Sequence, residues 1–312
     1  MTKFLRIIFL FVMVLLLAVP SVHAQLTGSN IPGDFGLKSG SQAPPGVWVG
    51  YLLYNYTSSK IVDSNGRELS LTNGEIDAWA HVPVFSVVTK KKLFGANYGA
   101  ALYPSVMNLA IEAPRVSLNK GTGYGAGDLY VQPINLGWTT KHADVITWYG
   151  LFAPTGKYAP GGEGNRGYGM WSHELGLGST VYFNEKKTLH ASALGAYEIH
   201  SKKRDTDSKV GQLLTIEGGV GATAKQALNF GMAYYAQWKV TKDSGLGLPT
   251  LVEGRLGKNH NYGLGPEVSM VLPLSKDFSK LAVLDFRYLF DVGTQLDMKG
   301  QTLVFTLTFK VH

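Results

Sequence analysis

The 312-residue chain carries 38 glycines and 16 tyrosines, only 16% charged residues, and no cysteine. Soluble domains average about 25% charged residues, and the lack of cysteine excludes disulfides, thiolate metal sites and cysteine nucleophiles. The net charge of +7 includes Lys3 and Arg6, which leaves about +5 spread over turns and loops with no basic face, so nucleic acid is excluded as a partner.

Lys3 and Arg6 precede an apolar run, Ile7 to Val19, that ends in Pro20 and the small-residue pattern Val22-His23-Ala24. This reads as a signal peptide over residues 1–24, because the run is shorter than the roughly 20 residues that span a bilayer. Residues 25–45, rich in Gly, Ser, Pro and Gln, show no periodicity and read as a periplasmic lead-in or a plug.

From Gly46 the chain divides into twelve segments of strand character, separated by turn residues. They fall at 46–56, 75–88, 95–108, 127–139, 143–154, 170–183, 187–200, 212–223, 226–240, 260–273, 279–291 and 301–311. The connections after even segments are short, such as Thr140 to His142 and Ala224 to Lys225, whereas those after odd segments are long, such as Thr155 to Gly169 and Thr241 to Asn259. Short periplasmic turns alternating with long external loops predict a transmembrane, antiparallel up-and-down β-barrel over residues 46–312, an all-β fold in the outer membrane. Its surroundings are then outer-membrane lipid and lipopolysaccharide, and its insertion calls on the barrel-assembly machinery.

Strand side chains alternate between faces. Leu228, Phe230, Met232, Tyr234, Ala236 and Trp238 share one side of a segment, as do Leu303, Phe305, Leu307 and Phe309, and both sets are expected against lipid. Trp48, Trp138, Trp171, Tyr182, Phe183 and Trp238 lie near segment ends, where interfacial girdles form. The opposite parity gathers lumen candidates. These are Asp77, Trp79, His81, Glu174, His190 and Glu198 in the first seven segments, then Glu217, Tyr235, Gln237, Lys239, Glu267, Asp285 and Arg287 in the later ones. Carboxylates facing Arg287 and Lys239 suggest a polar constriction, and Trp79 and Tyr235 offer faces for an aromatic solute.

Enzymatic readings are weaker. His190-Ala191-Ser192 resembles the His-x-Ser pair of the outer-membrane phospholipase, but there the pair faces lipid and here its parity turns inward. His173 and Glu174 point to opposite faces and cannot share a metal, and the Gly121–Gly127 and Pro154–Tyr158 loops lack the following helix that phosphate binding requires. No catalytic residue, cofactor or metal is assigned.

Several strings carry a resemblance: Gly127-Asp128-Leu129-Tyr130-Val131-Gln132-Pro133, Gly150-Leu151-Phe152-Ala153-Pro154-Thr155-Gly156-Lys157-Tyr158, Trp171-Ser172-His173-Glu174-Leu175, Ala196-Tyr197-Glu198-Ile199-His200 and Leu264-Gly265-Pro266-Glu267-Val268. Together they resemble the outer-membrane family associated with meta-pathway phenol degradation, often called a transporter. The resemblance implies a barrel for passive uptake of small aromatic or hydrophobic compounds. The alternatives are a non-transporting structural or surface-binding barrel and, less favoured, a lipid hydrolase.

Overall fold

A computed structural model describes residues 27–70, 74–113, 118–162, 164–245, 257–277 and 279–311. The signal peptide expected over 1–24 lies outside them. β-Branched and aromatic residues at alternate positions favour a pleated chain, and the strands follow in order: β1 (Gly46–Val62), β2 (Glu68–Ser70), β3 (Glu75–Leu93), β4 (Ala96–Tyr103), β5 (Val106–Ala113), β6 (Leu118–Gly121), β7 (Gly125–Ala126) and β8 (Leu129–Thr139). They continue as β9 (Ala143–Ala153), β10 (Ser172–Tyr182), β11 (Leu189–His200), β12 (Leu213–Ala224), β13 (Leu228–Lys239), β14 (His260–Pro273), β15 (Leu281–Gln295) and β16 (Asp297–Lys310).

All are antiparallel, each wall strand pairs with its neighbour in sequence, and β1 pairs with both β16 and β3, so the sheet closes. β4 and β5 form one wall strand interrupted at Pro104 and Ser105, and β2, β6 and β7 are short additions at the long-loop end, which leaves a barrel of twelve strands. Closure removes the edges of the twelve-strand wall, the condition for putting strands into lipid.

The turns follow from backbone conformation. Phe94-Gly95 and Lys225-Gln226 have positive φ at both positions, the mirror-image turn whose twist matches a tight hairpin. The connection after β15, expected to be long, is instead the single residue Leu296, also at positive φ, because β15 and β16 run on as a ribbon past the neighbouring strands.

The two faces of the wall are inverted relative to a soluble protein. Along β10, Leu175, Leu177 and Val181 are exposed, Leu177 to 63%, while Ser172, Glu174 and Thr180 are buried, Glu174 to 3% exposure. Apolar side chains outward and ionisable ones inward is the arrangement that lipid imposes on a barrel wall. Pairs of tyrosine and histidine lie on the outer surface: Tyr51 with His81, and Tyr149 with His173 at 2.7 Å from hydroxyl to Nδ1. Of the residues expected in aromatic girdles, Trp171 and Phe183 are exposed, but Trp48 and Tyr182 turn inward because each has a polar partner there. The Trp48 indole donates to the Pro44 carbonyl at 2.9 Å, and the Tyr182 hydroxyl to Asp144 at 2.6 Å.

Candidate functional site

The lumen contains the chain's own N-terminal segment. Residues 27–45 form no strand or helix beyond turns and bends, so their backbone N–H groups have no ladder to satisfy them and need acceptors from the wall. Glutamates on the inward faces of β10, β11, β12 and β14 supply them. Glu198 accepts the N–H groups of Ser29 and Asn30 at 2.6 and 3.2 Å, Glu217 those of Gly33 and Phe35 at 2.7 and 2.9 Å, and Glu267 that of Leu37 at 3.0 Å. Glu174 holds the Asn30 side chain at 2.9 Å and takes the Tyr130 hydroxyl and Trp148 indole on its other oxygen. A buried backbone N–H left without an acceptor costs about 1–3 kcal/mol, so each rung of this ladder removes a penalty of that size.

One buried cation balances the ladder's centre. The Arg287 guanidinium donates to Glu267 and Asp285, both at 2.8 Å, and to the Gly33 carbonyl at 2.8 Å. Ser192 donates to the Gly36 carbonyl at 3.0 Å, so the serine of the His-x-Ser pair is occupied in holding the segment. Two glycines allow the close approach: a Cβ on Gly36 would meet the Glu267 carboxylate and Arg287, and one on Gly40 would meet the backbone of Ser179 and Thr180. Phe35 packs on the cluster of Ile146, Trp148, Leu194 and Ala196, and Ile31 packs beside Tyr54, Ala80 and Val304. Burial and the neighbouring Glu217 push the Asp34 carboxyl well above the ordinary carboxylate range.

The segment occupies one side of the barrel. Between it and the opposite wall lies a cavity of about 540 Å³, within the size range of small-molecule sites. Leu52, Ala80, Val82, Val84, Met107 and Phe152 line it in the middle. It reaches Asp128 and Tyr168 toward the long-loop end and Val271, Val283 and Thr308 toward the short-turn end. Asp128 ties down the 154–171 loop there, accepting the Gly156 and Tyr168 N–H groups at 2.9 and 2.8 Å.

Of the residues read as lumenal, Glu174, His190, Glu198, Glu217, Tyr235, Gln237, Lys239, Glu267 and Arg287 are buried, and Asp285 joins them as a partner of Arg287 and a lining residue of the cavity. Tyr235 donates to Asp291 and Gln237 to Thr215, so both are tied into the wall. Lys239 pairs with Asp243 at 2.8 Å at the loop end.

Asp77, Trp79 and His81 are corrected: they share the outward parity of Phe85 and Val87, and Ala80, Val82 and Val84 face in. Their polar groups are satisfied outside, Asp77 by the Asn55 amide at 2.6 Å and the Trp79 indole at 2.8 Å, and His81 by Tyr51. β3 runs for 19 residues, well beyond the roughly 9–11 that cross a bilayer, so its first turns stand near the loop end where an outward carboxylate costs little. The apolar wall that parity then assigns to the lumen was missed for the same reason. His81-Val82-Pro83-Val84-Phe85 has no polar face to mark the inside, and only the run of apolar residues on both faces signals it.

Comparison with known proteins agrees with this geometry. Residues 58–307 match the family described as "Putative MetA-pathway of phenol degradation". No curated protein matches the chain. An outer membrane channel from Pseudomonas putida F1 superposes with a TM-score of 0.69 at 13% identity, covering 90% of this chain and 99% of that one. The toluene transporter TodX of P. putida is similar at a TM-score of 0.43 and 10% identity, over 86% of this chain and 90% of that one. The NanC porin is similar at 0.42 and 9%, over 84% and 98%. The first of these likenesses concerns the fold, and the other two reach no further than outline. With its closed twelve-strand barrel and a family match over most of its length, the chain belongs to the family of the MetA-pathway of phenol degradation.

Proposed function

We propose that the chain is an outer-membrane channel through which small aromatic or hydrophobic molecules pass along the apolar side of the lumen, beside an N-terminal plug formed by residues 27–43. Removal of residues 1–24 on export leaves that plug near the new N-terminus. The short turns then face the periplasm, the long loops stand among lipopolysaccharide, and insertion depends on the barrel-assembly machinery. The observation that carries this reading is the division of the lumen. The wall glutamates hold the segment, and the side of the cavity facing it is walled by Leu52, Ala80, Val82, Val84, Met107 and Phe152.

Val84→Asp tests the path. A carboxylate there replaces apolar lining with a hydrated charge that a hydrocarbon must displace, at about 1–3 kcal/mol, so toluene entry into cells with an intact outer membrane should fall roughly ten-fold. Folded barrel, followed by its heat-modifiable migration, should be unchanged. Toluene entry at the wild-type rate in this variant would place the path elsewhere.

A further inference from the structure

The cavity carries one feature that a path for plain hydrocarbons does not need. Lys38, on the N-terminal segment, lines the cavity together with Ser39 and Ser41, and its ammonium makes no hydrogen bond or ion pair among the described residues. Most other ionisable groups along the cavity are engaged, Asp128 among them, whereas Asp34, which lies against Glu217, keeps a buried Oδ1 with no hydrogen-bond partner among the described residues. Glu174 is held by Tyr130, Trp148 and Asn30, Glu267 by Leu37 and Arg287, and Asp285 by Arg287.

The carboxylate nearest in charge to Lys38 is Asp144, and it has other claims on it. Its Oδ2 accepts the Ser41 and Tyr182 hydroxyls at 2.8 and 2.6 Å, and its Oδ1 lies 3.9 Å from the Lys187 ammonium. Two lysines therefore share one carboxylate at this end of the lumen. Burial and Lys187 both draw the Lys38 pKa below the ordinary ammonium value while Asp144 opposes them, which is the mark of a charge lacking its counter-ion. A cation that lines an open cavity beside two serine hydroxyls, with no partner of its own among the described residues, is placed to take an anionic acceptor from the cavity.

Resting on the path reading above, we infer that the cavity receives small organic monocarboxylates, the carboxylate paired with Lys38 and the apolar body lying on Val82, Val84 and Val283. The segment that narrows the lumen thereby also supplies the selecting charge.

The test compares benzoate with benzyl alcohol, a neutral molecule of similar shape, binding to the full mature chain in lipid nanodiscs. Wild type should bind benzoate roughly ten-fold more tightly than benzyl alcohol, the size of one added charge-assisted contact. Lys38→Met should abolish that preference and leave benzyl alcohol affinity unchanged, and Lys38→Arg should retain it. Equal affinities in wild type, or a benzoate preference that survives Lys38→Met, would overturn the assignment while leaving the apolar path standing. Failure of both molecules to bind wild type would sink the path reading itself, and this inference with it.

Discussion

Gly40→Val should open the channel. The Cβ of any larger residue there runs into the backbone of Ser179 and Thr180 on β10, and a closed barrel wall cannot retreat as a flexible side chain could. Overpacking of this kind costs about 1–3 kcal/mol, and because the wall is fixed by its ladders the cost falls on the segment. Each 1.4 kcal/mol shifts the balance toward the withdrawn segment about ten-fold, so the time-averaged conductance of the channel should rise by roughly that factor. Adding Gly36→Val, which presses on Glu267 and Arg287, should increase the effect. Conductance at the wild-type level in the double variant, with the barrel folded, would mean that residues 27–43 do not limit passage.

Arg287→Met should have the largest effect on stability. The guanidinium is buried between Glu267 and Asp285, each at 2.8 Å, and also caps the Gly33 carbonyl. Removing one partner of a buried ion pair costs about 3–5 kcal/mol because the other charges are left without compensation. Two carboxylates would be stranded here, so the variant should lose its heat-modifiable form at a markedly lower temperature or denaturant concentration. Combining it with Glu267→Gln and Asp285→Asn removes the stranded charges and should recover most of the loss. A triple variant no more stable than the single one would show that Arg287 contributes through the Gly33 contact and packing instead.

The wall was legible in the sequence because lipid enforces a period of two. Leu228, Phe230 and Met232 on one face of β13, with Asn229, Tyr235 and Gln237 on the other, leave no freedom of register, since a slip of one residue would put Gln237 into lipid. The rule loses force where lipid ends. At the start of β3, Asp77, Trp79 and His81 sit outward near the loop end, where parity of polar residues no longer reports the inside. The inward direction of Trp48 and Tyr182 was hidden similarly, because an aromatic residue near a strand end suits an interface from either side. The position of the N-terminal segment had a subtler signal. Glu174, Glu198, Glu217 and Glu267 all fall on inward faces with Arg287 as the strand cation among them, an excess of acceptors that calls for donors, and an irregular Gly- and Ser-rich segment has unpaired N–H groups to offer. Lys38 carried no such mark, since its charged neighbours Asp144 and Lys187 come from separate hairpins.

The most direct measurement places a reactive thiol on each side of one strand. The chain has no cysteine of its own, so Val82→Cys, facing the cavity, and Phe85→Cys, exposed on the outer surface, can each be labelled alone with a bulky polar thiol reagent before toluene entry is followed. Labelling at Val82→Cys should abolish protein-dependent entry, and labelling at Phe85→Cys should leave it intact. Entry that continues with Val82→Cys fully labelled would contradict passage along the apolar wall.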